Sequence, residues 1–380
     1  NQKVKLELIK NEDWETISTF KPQVLDKLKN KITYEQEKFN EKINNSDRIE
    51  ISKEDLLKVV SKISKVDLSK LHEKSGDIIK NLEKVLNEEL INQDEAKTKI
   101  LKVLKKNILG FNNPTKPLCS IYMNGVSGSG KTFFVKLVAK ALGLKLITIN
   151  CAELGSGESS ISKLSGSTAG YIAHGEPTVL DKVKNDPNCI LLWDEFDKIS
   201  PNLYPSLLSI LDEGILIDNK NETINFENTY MFFTSNDAIT ELNYVKPGFG
   251  AKESNEVNIK STSTDVIRKK LPPELYNRFS DFITFDVLKK PEMILVVEAE
   301  INNFKKILKA KGIVLTVNKN VKEFIADKYT DTKLGARPIK RGFETSVIEV
   351  VSDFLIENLD NNIKKINIIM NEINDGVIVK

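Results

Sequence analysis

Arginine is scarce in this chain. Of 56 basic residues among 380, only five are arginine: Arg48, Arg268, Arg278, Arg337 and Arg341. Arginine clasps phosphate with two parallel hydrogen bonds and lysine does not, so each position is informative. Cysteine is scarcer still. Cys119, Cys151 and Cys189 show no metal-ligand spacing, and each lies beside an apolar run. They read as buried free thiols of a protein kept in a reducing compartment. There is no excess charge: 56 basic residues face 54 acidic ones, for a formal net charge of +2. This near balance argues against a dedicated nucleic-acid binder. No apolar run approaches the length of a membrane span, so no membrane partner is expected. The chain begins at Asn1 with no signal segment, as an excised or mature piece would. Heavy use of lysine, asparagine and isoleucine fits an AT-rich genome.

What is present begins with Gly125-Val126-Ser127-Gly128-Ser129-Gly130-Lys131-Thr132. It reads G-x-x-x-x-G-K-[ST], the phosphate loop of nucleotide triphosphatases. An apolar run precedes it and a helical pattern follows from Phe133, which is the context the motif needs. Glycines let backbone N–H groups curl round phosphates, and the helix N-terminus adds partial positive charge. Lys131 is expected to reach the phosphates. The Thr132 hydroxyl is expected to hold Mg²⁺.

Residues 1–45 are strongly charged with sparse apolar positions, and read as a helical hairpin, a coiled-coil fragment or a disordered charged arm. Ser52-Lys53-Glu54-Asp55 opens a capped amphipathic helix. Further amphipathic helices cover 66–106. Beyond the loop, 145–150 reads as a buried strand, 155–175 as Gly/Ser-rich loop, and 188–195 and 229–236 as apolar strands. Strands alternating with helices predict an α/β fold with a parallel sheet flanked by helices. From about 290 the pattern changes to helices with short strand-like runs at 313–317 and 365–370, a small second domain.

Asp194 and Glu195 end an apolar strand, which places both at the carboxyl edge of the sheet, where ligands bind in open α/β folds. Asp194 is the candidate Mg²⁺ ligand, and Glu195 the base that polarises the attacking water. Asn236, at the next strand end, is a candidate to orient that water. Arg278, after Pro273-Glu274-Leu275-Tyr276-Asn277, and Arg337, in Leu334-Gly335-Ala336-Arg337-Pro338, are candidates to stabilise charge on a transferring phosphoryl group.

With these pieces in place, residues 50–380 resemble the second ATPase module of a Clp-family AAA+ unfoldase. Ile91-Asn92-Gln93-Asp94-Glu95-Ala96 resembles V-x-G-Q-D-x-A on the adenine side, with Asn92 in place of glycine. Asp194-Glu195-Phe196-Asp197-Lys198 resembles D-E-I-E-K. Leu207–Gly214 resembles L-L-Q-x-L-D-x-G. Pro273–Arg278 resembles P-E-F-L-N-R, whose arginine reaches the neighbouring subunit's nucleotide. Leu334–Pro338 resembles the G-A-R-P sensor of the small domain. Gly170-Tyr171-Ile172-Ala173 resembles the G-Y-V-G pore loop, whose tyrosine grips threaded polypeptide; Ala173 replaces the second glycine and His174 follows. Pro247-Gly248-Phe249 resembles the tripeptide that docks on a ClpP-type protease. Residues 11–43 resemble the end of a ClpC middle coiled coil.

The resemblance implies an AAA+ P-loop fold with a small C-terminal α/β lid. The expected parts are a middle-domain remnant at 1–45, a helical linker at 46–87, a large ATPase domain at 88–289 and a small domain at 290–380. ATP and Mg²⁺ are the implied cofactors, with Ile91 beside the nucleotide. The implied assembly is a homo-hexamer that threads unfolded or tagged proteins past Tyr171 and Ile172, feeding a ClpP-type protease docked at Gly248 and Phe249. A ClpB-like disaggregase and a nucleotide-gated scaffold stay open as alternatives. The implied setting is a plastid-type organelle (apicoplast) stroma or a bacterial cytoplasm.

Overall fold

The computed structural model describes residues 75–155, 158–166, 178–236, 265–331, 335–358, 363–371, 373 and 376–379, together with residues 27, 30–38, 52, 54–56, 58 and 59. The chain divides into two compact units, Asn1–His72 and Glu73–Lys380. In the first, 30–38 is helical and exposed throughout. The cap expected at Ser52 is present. The Asp55 N–H donates to Ser52 Oγ at 3.2 Å, and the Ser52 N–H donates to Asp55 Oδ2 at 3.3 Å. The expected sites Tyr171, Ile172, Gly248 and Phe249 lie outside the described residues, as does Leu334.

The second unit is built on strands β1 (Cys119–Asn124), β2 (Lys145–Asn150), β3 (Cys189–Asp194), β6 (Tyr230–Ser235) and β7 (Asp281–Thr284). They pair in parallel in the order β2-β3-β6-β1-β7. The three inner strands are almost continuously buried because helices cover both faces. Period-two alternation sorts their side chains. Ile121, Met123, Ile190, Leu192 and Phe232 enter one core with helices α1 (Ser75–Glu89), α2 (Asp94–Ile108) and α3 (Lys131–Leu142). Tyr122, Leu191, Trp193, Met231 and Phe233 enter the other, against Leu207 and Ile210 of α4 (Tyr204–Glu213). Phe134, fully buried against Phe232 and Phe285, is the kind of side chain whose burial contributes about 3 kcal/mol.

Three expectations shift. Residues 75–87 were assigned to the linker, yet Leu82 and Leu86 of α1 are fully buried in the sheet's core, so this stretch packs with the large domain. The Gly/Ser-rich stretch holds a helix, Glu158–Ser165, because Leu164 finds a place in the core that its neighbours' composition does not advertise. The strand at 145–150 is an edge strand, only half buried. An antiparallel hairpin of β4 (Ile215–Ile217) and β5 (Thr223–Asn225) is additional.

The small domain has its own core. Helices α5 (Lys290–Ala310), α6 (Lys319–Tyr329), α7 (Arg337–Phe343) and α8 (Glu349–Glu357) pack on a three-stranded sheet. Its strands β8 (Val314–Val317) and β9 (Lys365–Met370) are parallel, and β10 (Val377–Val379) pairs antiparallel to β9. The two strand-like runs expected here are β8 and β9. Met293, Val297, Ile325, Ile339, Val347 and Ile366 are fully buried at its centre.

Candidate nucleotide-binding site

β1 runs into the phosphate loop, and α3 leaves it. The loop's path is one that side chains obstruct. A Cβ at Gly125 would stand 2.8 Å from Phe285 Cβ, and Gly130, the cap of α3, sits at φ 102°. Lys131 is 7 % exposed. Its Nζ donates to the carbonyls of Gly125 at 2.7 Å and Val126 at 2.9 Å, and to Asn236 Oδ1 at 3.0 Å. Burial pulls its pKa down to about 8. The carboxylates of Asp194 and Asp197 oppose that fall, and the charge of Arg337 adds to it.

The acids stand where the strand pattern placed them. Asp194 Oδ1 accepts from Thr132 Oγ1 at 3.4 Å and from Thr234 Oγ1. The Thr234 hydroxyl also accepts from the Glu195 N–H at 3.1 Å. Thr234, one residue inside the strand that leads to Asn236, therefore organises both acids. Glu195 has left-handed backbone, φ 55° and ψ 45°, an uncommon conformation for a non-glycine residue and one that clusters at functional sites. Its carboxylate pairs with Lys198 Nζ at 2.7 Å.

These residues line a cavity of about 380 Å³. Ser127, Gly128, Ser129, Gly130, Lys131 and Thr132 line it together with Asp194, Glu195, Asn236 and Ile91. Arg337, the first residue of α7, lines it from the small domain with Lys340. The two domains meet backbone to backbone here. The Ala336 N–H donates to the Gly128 carbonyl at 3.0 Å, and a Cβ at Gly335, φ +61°, would stand 2.5 Å from the Ser127 carbonyl oxygen. Gly125 and Val126 belong to the loop through the carbonyls that Lys131 holds.

Gln93 was quoted in a motif but given no role, and the structure supplies one. Its Nε2 donates to the Ser129 carbonyl at 3.3 Å and the Asp286 carbonyl at 2.9 Å, and its Oε1 accepts from the Asp286 N–H at 2.8 Å. It ties the phosphate loop to the segment beyond β7. Asn92 stands where the resembled motif has glycine; at φ 59° it occupies the left-handed region that asparagine tolerates.

Arg278 is not among the described residues lining the cavity. It is exposed, and its guanidinium pairs with Asp212 of α4. The three cysteines are buried and unbridged, with burial pushing the thiols of Cys119 and Cys189 up to about 12. Among the described residues no cluster of three or more His, Cys, Asp or Glu could hold a metal by itself. No helix among them is long and apolar enough to cross a membrane.

The donor set suits a nucleoside triphosphate. The Ser129 hydroxyl, buried within the loop, has no hydrogen-bond partner among the described residues. Glycine-shaped backbone, a buried lysine and a Thr–Asp pair complete a site for phosphate oxygens. A cation held by Thr132 and Asp194 needs phosphate or water oxygens for its remaining positions.

Residues 116–282 match the AAA domain (Cdc48 subfamily), and residues 288–368 match the C-terminal D2-small domain of ClpB protein. The chain is 30 % identical over 320 residues to the ATP-dependent Clp protease ATP-binding subunit ClpC of Staphylococcus saprophyticus, covering 82 % of this chain and 39 % of that protein. It is 29 % identical over 337 residues to the chaperone protein ClpB of Oceanobacillus iheyensis, covering 87 % and 42 %. The chain thus spans about two fifths of the length of these curated relatives. Its fold is that of a chain in a closed-state reconstruction of Hsp104 with ATPγS and FITC casein, with a TM-score of 0.72 and 23 % identity over 86 % of this chain and 55 % of that one.

Proposed function

We propose that this chain, which belongs to the Clp family of AAA+ ATPases, binds ATP with Mg²⁺ and hydrolyses it to drive a protein-unfolding ring. The observation that carries this reading is the cavity itself: Lys131, Thr132, Asp194, Glu195 and Asn236 of the large domain face Arg337 of the small one. In it, Lys131 turns from the loop carbonyls to the β- and γ-phosphates. Mg²⁺, held by Thr132 and Asp194, would neutralise charge on the phosphate oxygens. Glu195 leaves Lys198 to polarise the attacking water, which Asn236 orients. Arg337 holds the nucleotide from the lid, so that loss of the γ-phosphate changes the lid's attachment. Arg278, standing away from its own chain's cavity, acts on the nucleotide of a neighbouring subunit in a homo-hexamer. Tyr171 and Ile172 then grip unfolded or tagged polypeptide in the pore.

In the full-length protein, Glu195→Gln should keep ATP binding and lower turnover by about 10²–10⁴-fold. Undiminished steady-state hydrolysis would overturn the assignment. For the downstream partner we propose a ClpP-type protease docked at Gly248 and Phe249, in line with the ClpC relative. A second reading, a ClpB-type disaggregase without a protease, is favoured by the D2-small match and the ClpB relative. Binding of a ClpP-type protease to full-length protein with and without residues 245–252 separates the two.

A further inference from the structure

We infer that Asp212 is the positioning residue for Arg278, fixing its guanidinium for delivery to the neighbouring subunit's nucleotide. The inference rests on the in-trans role proposed above. It starts from an acid in an unfavourable place. Asp212 and Glu213 stand in the last turn of α4, which has no basic residue there. Acids at a helix C-terminus oppose the helix dipole, so Asp212 does not serve α4's own stability. Its carboxylate instead faces two cations. Oδ2 accepts from Arg278 Nε, and Oδ1 accepts from Lys116 Nζ at 3.2 Å. Burial pushes the Asp212 carboxyl up, but Arg278 and Lys116 outweigh it and hold it below the usual carboxylate range.

The anchor is itself rigid. Leu207, Ile210 and Leu211 of α4 are buried in the core. At the helix end, a Cβ at Gly214, φ +65°, would stand 2.7 Å from the Thr115 carbonyl oxygen, so α4 abuts the segment that carries Lys116. The backbone of Arg278 is held as well. Its carbonyl accepts from Ser120 Oγ at 3.1 Å. Ser280 returns the grip, its N–H donating to Ser120 Oγ at 3.0 Å and its Oγ donating to the Ser120 carbonyl at 2.8 Å. An arginine fixed at Nε presents its two terminal nitrogens outward, the edge that clasps phosphate oxygens. Without Asp212 the long side chain samples many rotamers, and the ordering entropy falls on the transition state.

The test uses full-length protein assembled into rings. Asp212→Ala should lower kcat about tenfold, the scale of one charge-assisted hydrogen bond, with KM for ATP within about twofold. Asp212→Asn, which keeps the volume and one acceptor oxygen, should fall less; it also carries the test should the alanine variant fail to assemble. An unchanged kcat in both variants overturns the inference. Mixed rings then separate positioning from general damage. A Glu195→Gln subunit cannot turn over its own ATP but retains Asp212 and Arg278. Mixed with it, Asp212→Ala subunits should regain turnover per active site, because they receive a well-held arginine from the neighbour. Arg278→Ala subunits are mixed in the same way. If Arg278→Ala recovers and Asp212→Ala does not, Asp212 damages its own site and the inference falls alone. If neither recovers, the in-trans reading falls and takes the inference with it.

Discussion

The nucleotide cavity and the Arg278 corner sit at opposite ends of one strand and are built by opposite means. β1 ends at the phosphate loop, and near its start Ser120 holds the backbone of Arg278. The phosphate-loop wall of the cavity is made of backbone: glycine-shaped turns, carbonyls and a lysine that is almost wholly buried. The corner is made of half-exposed side chains, Arg278, Asp212 and Lys116. Buried backbone architecture tolerates little change, whereas exposed ion pairs contribute little to stability. The corner can therefore matter to turnover without mattering to the fold, while the cavity matters to both. The two are also joined inside the protein. Phe196, next to Glu195, and Phe279, next to Arg278, both pack edge-on against Phe233 of β6, with ring centroids 5.0 Å and 4.9 Å away.

Substitutions at the two ends should break along this line. Arg278→Ala should have the largest effect on chemistry, lowering kcat of assembled full-length rings by about 10³-fold or more while ATP affinity and melting temperature barely move. A parallel loss of affinity or stability would place the arginine in its own subunit's site. Gly125→Ala, at the other end of β1, should do the reverse. Its Cβ meets Phe285, so stability should fall by about 1–3 kcal/mol in denaturant titration, with weaker ATP binding.

Lys131 gives a smaller, pH-dependent signature. Its pKa in the folded protein, about 8, lies below the ordinary lysine value, so keeping it charged below pH 8 costs stability. Phosphates restore the charge and raise the pKa. ATP binding near pH 9 should thus take up as much as about one proton, and near pH 7 close to none. Calorimetry in two buffers of different ionisation enthalpy reads this directly, and equal uptake at both pH values would refute it. The smallest effect is expected at Lys116→Ala. That half-exposed pair is worth about 0.2–1 kcal/mol, and hydrolysis should stay within about twofold. A large loss there would mean that Asp212 needs both cations.

Much of the cavity was legible in the sequence because its chemistry is local. Gly125–Thr132 forms one continuous loop, and Asp194, Glu195 and Asn236 each end or follow an apolar strand, so period and spacing alone put them at one sheet edge. Thr234 and Gln93 were not assigned, for the opposite reason. Each acts through partners distant in the chain, Thr234 on Asp194 and Gln93 on Asp286, and no local pattern announces such a pair. The helix at Glu158–Ser165 and the start of the large domain at α1 were missed for the same cause: one or two leucines find a distant core.

By itself, then, the sequence determined the phosphate loop, the acids that face it and the division into a large and a small domain, since all three follow from short-range spacing and periodicity. Tertiary structure alone decided where the two arginines stand. Both stand in motifs next to helical turns, and the local spacing of neither motif says which partners its side chain meets. Only packing brings Arg337 over the phosphate loop, through the Gly335–Gly128 backbone contact, and turns Arg278 outward onto Asp212. The physical reason is that a long, charged side chain takes its position from whichever partners the fold brings within reach, and those partners lie far away in sequence.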